Sequence, residues 1–218
     1  MKIINRRQIR IKVLQELYSF LSGNENSLVK GQKNLTNSFI QTNSLYLFYL
    51  NFFKNFWEFL NQRDNFQKKI KKSQKPIDEN YFLISELIPL KSIAKNKNLI
   101  SKLLSGKYIF WDSKHEFLNE FFLKIVNSEG FKEYLIVKEK DYKIQLKLFI
   151  YIFKEILVHD KKFIEYIEDH NIYSIDDVPI INTFFLRLIK NLNTEKEIDF
   201  LKNSFTHNKN DTDFGLKL

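Results

Sequence analysis

No cysteine occurs in the chain, so disulfides, thiolate zinc sites, iron–sulfur clusters and cysteine nucleophiles are excluded. The lack fits a reducing compartment, and a cytoplasmic location is expected. Glycine and proline are scarce, at five and three residues. Gly23, Gly31, Gly106, Gly130 and Gly215 stand isolated, which rules out a Walker loop and a dinucleotide-binding fingerprint, and no Gly-x-Ser-x-Gly elbow occurs. His115, His159, His170 and His207 show no His-Glu-x-x-His spacing and no pair four apart, so no zinc site is expected. Met1 to Val13 contains no apolar segment of the secretory type. The most apolar stretch, Leu45 to Leu60, is broken by Asn51, Lys54, Asn55 and Glu58 and falls short of the ~20 apolar residues of a membrane span. A protein outside the membrane, with no catalytic residue, metal or cofactor, is the expectation.

What is present is basic charge. Lys+Arg number 35 against 26 Asp+Glu, a formal charge of +9 over 218 residues, which implies a polyanionic partner or surface. RNA, DNA and anionic lipid are all open on charge alone. The inventory leans towards Lys, Asn, Ile, Leu and Phe, with Ala94 the single alanine and 22 phenylalanines, as an AT-biased coding sequence would give. That bias weakens any argument from lysine and strengthens one from arginine. Only five arginines occur, and Arg6, Arg7 and Arg10 fall within five consecutive positions.

Long segments carry apolar residues three or four apart, the period of helices. The expected fold is all-α, a helical bundle with an arginine-rich first helix. That helix is expected from a cap at Asn5 to Ser22, burying Ile11, Leu14, Leu17, Tyr18 and Leu21, with Gly23 and Asn24 ending it. A second, longest helix opens near Ser27 and runs past Leu60, with Leu28, Leu35, Phe39, Tyr46, Tyr49, Phe53 and Phe56 inward. Its aromatics, Trp57 and Phe59 among them, read as core, although they surround so much of the helix that a partner-binding groove is the lesser alternative. The hydrophilic stretch from Gln62 to Pro76, with Lys68, Lys69, Lys71, Lys72 and Lys75, suggests a boundary: an N-terminal helical hairpin over 1–62, a basic linker over 63–80 and a helical region over 81–218. Within the last, a helical or irregular segment from Tyr81 to Leu104 is interrupted at Pro89. Helices follow near Ser113 to Asn127, Glu129 to Leu135, Tyr142 to Leu157, Lys161 to Asp169 and Val178 to Asn193, with short strand alternatives at Lys107 to Trp111 and Tyr134 to Lys138. Asp211 to Leu218 reads as a helix start, so the chain is expected to stop one turn into a helix.

Arg6 and Arg10 are four apart and Arg7 and Arg10 three apart, so three guanidiniums project from one side of the first turns of the helix. Cations there oppose the helix macrodipole and repel one another. An unfavourable placement points to a ligand, and arginine offers bidentate phosphate binding and stacking on unpaired bases. Lys12 extends the cluster.

The run Arg6-Arg7-x-x-Arg10-x-x-x-Leu14-Gln15-x-Leu17-Tyr18 resembles the opening helix of the NusB family of bacterial transcription antitermination factors. Ser128 to Tyr134 and Ile172 to Asp177 resemble the middle region of a long-insert form of that family. The resemblance implies an all-helical protein that binds single-stranded leader RNA of ribosomal transcripts together with the small ribosomal protein NusE, within the transcription elongation complex. It implies RNA contacts at Arg6, Arg7, Arg10 and Lys12, and a partner or RNA interface at Gln15 and Tyr18, where a core role for Tyr18 is equally open. Against the family pattern, the chain is expected to lack the C-terminal helical subdomain.

Three other features have plainer readings. The Lys68 to Lys75 cluster reads as a solvated loop, and Phe66 alone makes no base-stacking platform. Glu165, Glu168, Asp169, Asp176 and Asp177 read as helix caps and surface pairs rather than a magnesium or acid–base site. The rival to RNA binding is a non-catalytic interaction scaffold whose aromatic second helix docks a partner helix.

Overall fold

The computed structural model describes residues 6–23, 27–70, 79–106, 110–170, 172–192 and 199–201. The chain is all-α, with no strand among the described residues. Helices α1 (Arg6–Ser22) and α2 (Leu28–Ile70) are followed by three short helices, α3 (Asn80–Ser85), α4 (Ile88–Ala94) and α5 (Lys97–Ser105). After a 3-10 turn (Phe110–Ser113) come α6 (His115–Val126), α7 (Glu129–Ile136) and α8 (Tyr142–Tyr151), the last continuing into a π-helical turn (Ile152–Leu157). Helix α9 (Lys161–His170), a second 3-10 turn (Ile172–Asp177) and α10 (Val178–Lys190) complete the described fold.

Helix α2 is the axis of the molecule. At 43 residues it is about 65 Å long, and every residue from Leu45 to Phe53 is buried. A helix apolar on all sides is stable only when covered on all sides, and α1, α3, α4, α6, α10 and both 3-10 turns pack against this one. Tyr46, Phe48, Tyr49, Phe52, Phe53, Phe56 and Phe59 are therefore core residues, not an open groove. Phe53 stacks on Phe185, with ring centroids 5.4 Å apart. Phe52 meets Phe121 edge-on at 5.1 Å. Trp111, fully buried, packs on Phe48 and lies nearly parallel to Phe163, while its indole N–H donates to the Phe48 carbonyl at 3.2 Å. Some of the polar groups caught in this axis are satisfied locally, though Asp64 Oδ1 is buried without a hydrogen-bond partner among the described residues. Asn55 donates to the Asn51 carbonyl and side-chain oxygens at 3.0 and 2.9 Å.

The short helices are set by their ends. Asn96, Ser128, Asp141 and Asp160 each accept a backbone N–H three residues on, from Leu99, Phe131, Ile144 and Phe163, the N-cap geometry. Asp160, its side chain fully buried, also accepts Lys124 at 2.7 Å. Pro89 opens α4 instead of interrupting a helix, because its missing N–H is no loss in a first turn. The single helix expected over Tyr142 to Leu157 changes pitch at Ile152. The extra residue in that turn lets Phe149, Ile152, Phe153 and Leu157 all face the core.

The linker expected over 63–80 is helical through Ile70, and Asp64, buried, accepts Lys68, whose ammonium also lies 4.8 Å from the centre of the Phe82 ring. Lys68 is thus an exposed, ion-paired residue of the helix surface rather than part of a loop. One hydrophobic cluster runs from Ile9 to Phe200, so the core is not divided between the expected units. The Tyr134 to Lys138 strand alternative is helical through Ile136. Asn5, Asn24, 71–78, 107–109 and Asp211 to Leu218 lie outside the described residues.

Two predictions follow from this packing. A Cβ at Gly130 would sit 2.5–2.7 Å from Cδ1, Cε1 and Cγ of Tyr151, near the fixed root of that ring. Gly130→Ala is therefore expected to destabilise by about 1–3 kcal/mol, read as a lower urea midpoint. Burial, with Asp199 adding to it at Tyr46, pushes the Tyr46 and Tyr49 phenols well above their ordinary value. Both are hydrogen-bonded as donors, to the Phe200 carbonyl and to Asn182 Oδ1. In the unfolded chain they ionise near pH 10, so their contribution is complete below about pH 10 and is lost as pH rises above it. The melting temperature should fall in that range, and Tyr49→Phe should make the fall shallower.

Candidate nucleic-acid interface

Helix α1 lies on the first half of α2 through one side only. Ile9 and Val13 enter the core, and Glu16 accepts the Asn34 amide of α2 at 3.0 Å. Lys12 is held inward by a buried ion pair. Its ammonium donates to both carboxylate oxygens of Asp177 at 3.0 and 2.9 Å, and the Thr42 hydroxyl of α2 donates to the same carboxylate. Asp177 occupies the N-cap position of α10, yet its side chain makes no capping bond. The carboxylate is committed to Lys12 instead, 165 positions away in sequence. This corrects two expectations. Lys12 is enclosed and charge-neutralised, so it does not join a phosphate-binding cluster, and Asp177 is a buried tether rather than a cap or a surface pair.

The turn of the helix then decides the rest. With the inward side fixed by Ile9, Lys12 and Val13, the stripe expected to be buried faces outward: Leu14 is 70 %, Tyr18 74 % and Leu21 79 % exposed, with Ile11 and Leu17 also exposed. Leu28, expected inward on α2, is exposed too. Arg6, Arg7 and Arg10 are exposed at the N-terminal end of α1, as the sequence led us to expect. No acidic residue stands in that first turn, and among the described residues neither Arg7 nor Arg10 makes an ion pair.

Beside α1 opens a cleft of about 660 Å³, lined by Lys12, Gln15, Glu16, Tyr18 and Ser19 of α1, Asn34, Asn37, Ser38 and Gln41 of α2, and Asp176 and Asp177. Gln15 and Tyr18 are therefore brought together with Lys12, while the three arginines are not among its walls. One cation faces three carboxylates here, so the cleft itself repels phosphate. Its carboxamides and hydroxyls suit neutral hydrogen-bonding groups such as base edges. The arginines and the cleft are thus two chemically different surfaces of one helix, with Tyr18 on the wall of the cleft.

Asn34, Asn37, Gln41 and Thr42 were not singled out in the sequence. Asparagine is common throughout the chain, and no local pattern pairs α2 with a turn some 135 positions away. Among the described residues no group of three or more His, Asp or Glu side chains is placed to hold a metal ion, and no helix is long and apolar enough to cross a membrane. Comparison with family models, with curated proteins and with solved structures finds no match to this chain.

Removing one partner of the buried pair leaves the other charge uncompensated. Lys12→Met is expected to cost about 3–5 kcal/mol. Combining it with Asp177→Leu should recover most of that loss, since Thr42 retains the Ser38 carbonyl at 3.0 Å as an acceptor. Urea unfolding of the two single variants and the double variant measures the coupling.

Proposed function

We propose that this protein is a NusB-like RNA-binding adaptor, acting in transcription antitermination with a NusE-type partner and without catalysis of its own. The observation that carries this reading is the exposure of Arg6, Arg7 and Arg10 together in the first turns of α1, where positive charge works against the helix's own dipole. Planar guanidiniums at three- and four-residue spacing grip phosphates bidentately and stack on unpaired bases. The neighbouring cleft, with Gln15 and Tyr18 on its wall, offers carboxamides and an aromatic ring to a base splayed from a single strand. Backbone charge and base edges would then be met by separate parts of one helix. The resemblance of Arg6 to Tyr18 to the opening helix of the NusB family supplies the substrate class, leader RNA of ribosomal transcripts. The scaffold reading built on the aromatics of α2 is less favoured, since Tyr46, Phe48, Tyr49, Phe52, Phe53, Phe56 and Phe59 are buried and Trp57 is only partly exposed.

The test is fluorescence anisotropy with a ribosomal leader RNA and a scrambled control over a salt series, with and without NusE. Preferential binding that NusE strengthens is expected. Replacing Arg6, Arg7 and Arg10 together by Ala should weaken binding and lower the salt slope by about 2, since each phosphate contact to a single strand contributes roughly 0.7. Equal, weak binding to both RNAs, or an unchanged slope in the triple variant, would reject the assignment.

A further inference from the structure

Helix α1 carries apolar side chains on both of its sides, and only one side is covered. Ile9 and Val13 are in the core, while Ile11, Leu14, Tyr18 and Leu21 stand in water. Exposed apolar stripes of this kind mark interaction surfaces.

The spacing says what kind. From Ile11 to Leu14 to Tyr18 to Leu21 the steps are three, four and three, the a/d alternation of a coiled-coil seam. The same positions are symmetric about residue 16, Ile11 matching Leu21 and Leu14 matching Tyr18. A seam with this symmetry is complementary to itself when turned end for end, as a two-fold interface requires.

Charge selects the same arrangement. Arg6, Arg7 and Arg10 sit at one end of α1, and the last turn of the helix holds no basic residue. Side by side in parallel, two copies would oppose their arginine clusters. Antiparallel, each cluster lies at the C-terminal carbonyls of the other helix, the place where cations are favoured, and the two clusters are held apart by a helix about 25 Å long. A basic first turn, unhelpful to its own helix, fits the far end of a second copy.

We infer that α1 is a self-association surface, through which two copies of this chain pair antiparallel along Ile11, Leu14, Tyr18 and Leu21. The inference does not depend on RNA binding. A seam of four positions a side is short, so the dimer is expected to be weak and concentration-dependent.

Sedimentation of the full chain over a concentration series, without RNA, tests this. A monomer–dimer equilibrium is expected, and Leu14→Glu with Leu21→Glu should abolish it while helix content and melting temperature hold, both positions being exposed. The absence of native cysteine permits a test of direction. An Ile11→Cys copy mixed with a Leu21→Cys copy and oxidised should give the mixed disulfide in preference to either self-linked product. Self-linked products alone would overturn the antiparallel pairing, and a dimer that survives the two glutamates would overturn the seam. A chain monomeric at high micromolar concentration would overturn the whole inference. If such a monomer floated with phosphatidylserine vesicles, the stripe would belong to a lipid surface instead.

Discussion

Between Leu45 and Leu60, α2 has almost no side that water reaches, and the remainder of the molecule is arranged to meet that constraint. Trp57 and Lys54 are only partly covered, but the phenylalanines and tyrosines around them are buried. Covering a helix on every side takes several elements at different angles. The short helices α3 and α4, the Trp111 turn and the pitch change at Ile152 bring separate pieces of chain against one aromatic axis. Long regular helices over the same sequence would present narrower stripes and leave parts of that axis wet.

The position of α1 depends on a different interaction. Few apolar groups hold this helix to α2, and the Lys12–Asp177 pair with Thr42 fixes its rotation as well as its place. A buried ion pair adds little net stability against an apolar alternative of the same shape, but breaking it leaves an uncompensated buried charge, which disfavours other rotations of α1. By turning Lys12 inward it turns Leu14, Tyr18 and the arginines outward. The proposed RNA surface and the inferred self-association seam both follow from that one rotation, which ties the first helix of the chain to the start of α10.

Much of the architecture was legible in advance. Helix boundaries from Ser113 onward were expected within a few residues, because caps such as Ser128 and Asp141 and the apolar period are local signals. The misjudged places share a physical cause. Pro89, the Lys68 stretch and the apolar stripe of α1 each have a composition compatible with two environments, and only contacts with distant residues choose between them. The site was legible in the same uneven way. Arg6, Arg7 and Arg10 stood out by rarity and spacing and are exposed, whereas Lys12 looked like a fourth member of their cluster and is buried.

The sequence by itself determined that this protein is all-α, that its longest helix is rich in aromatic side chains and that its arginines gather in the first turns of the first helix. Those properties follow from periodicity, propensity and residue identity, which act over a few neighbouring positions. Which side of α1 is buried, that Asp177 serves as a tether and that the α2 aromatics form an axis rather than a groove were decided only by the tertiary structure. Each of these rests on a pairing across more than a hundred residues or on the covering of a surface by several elements, and neither leaves a mark on the residues nearby.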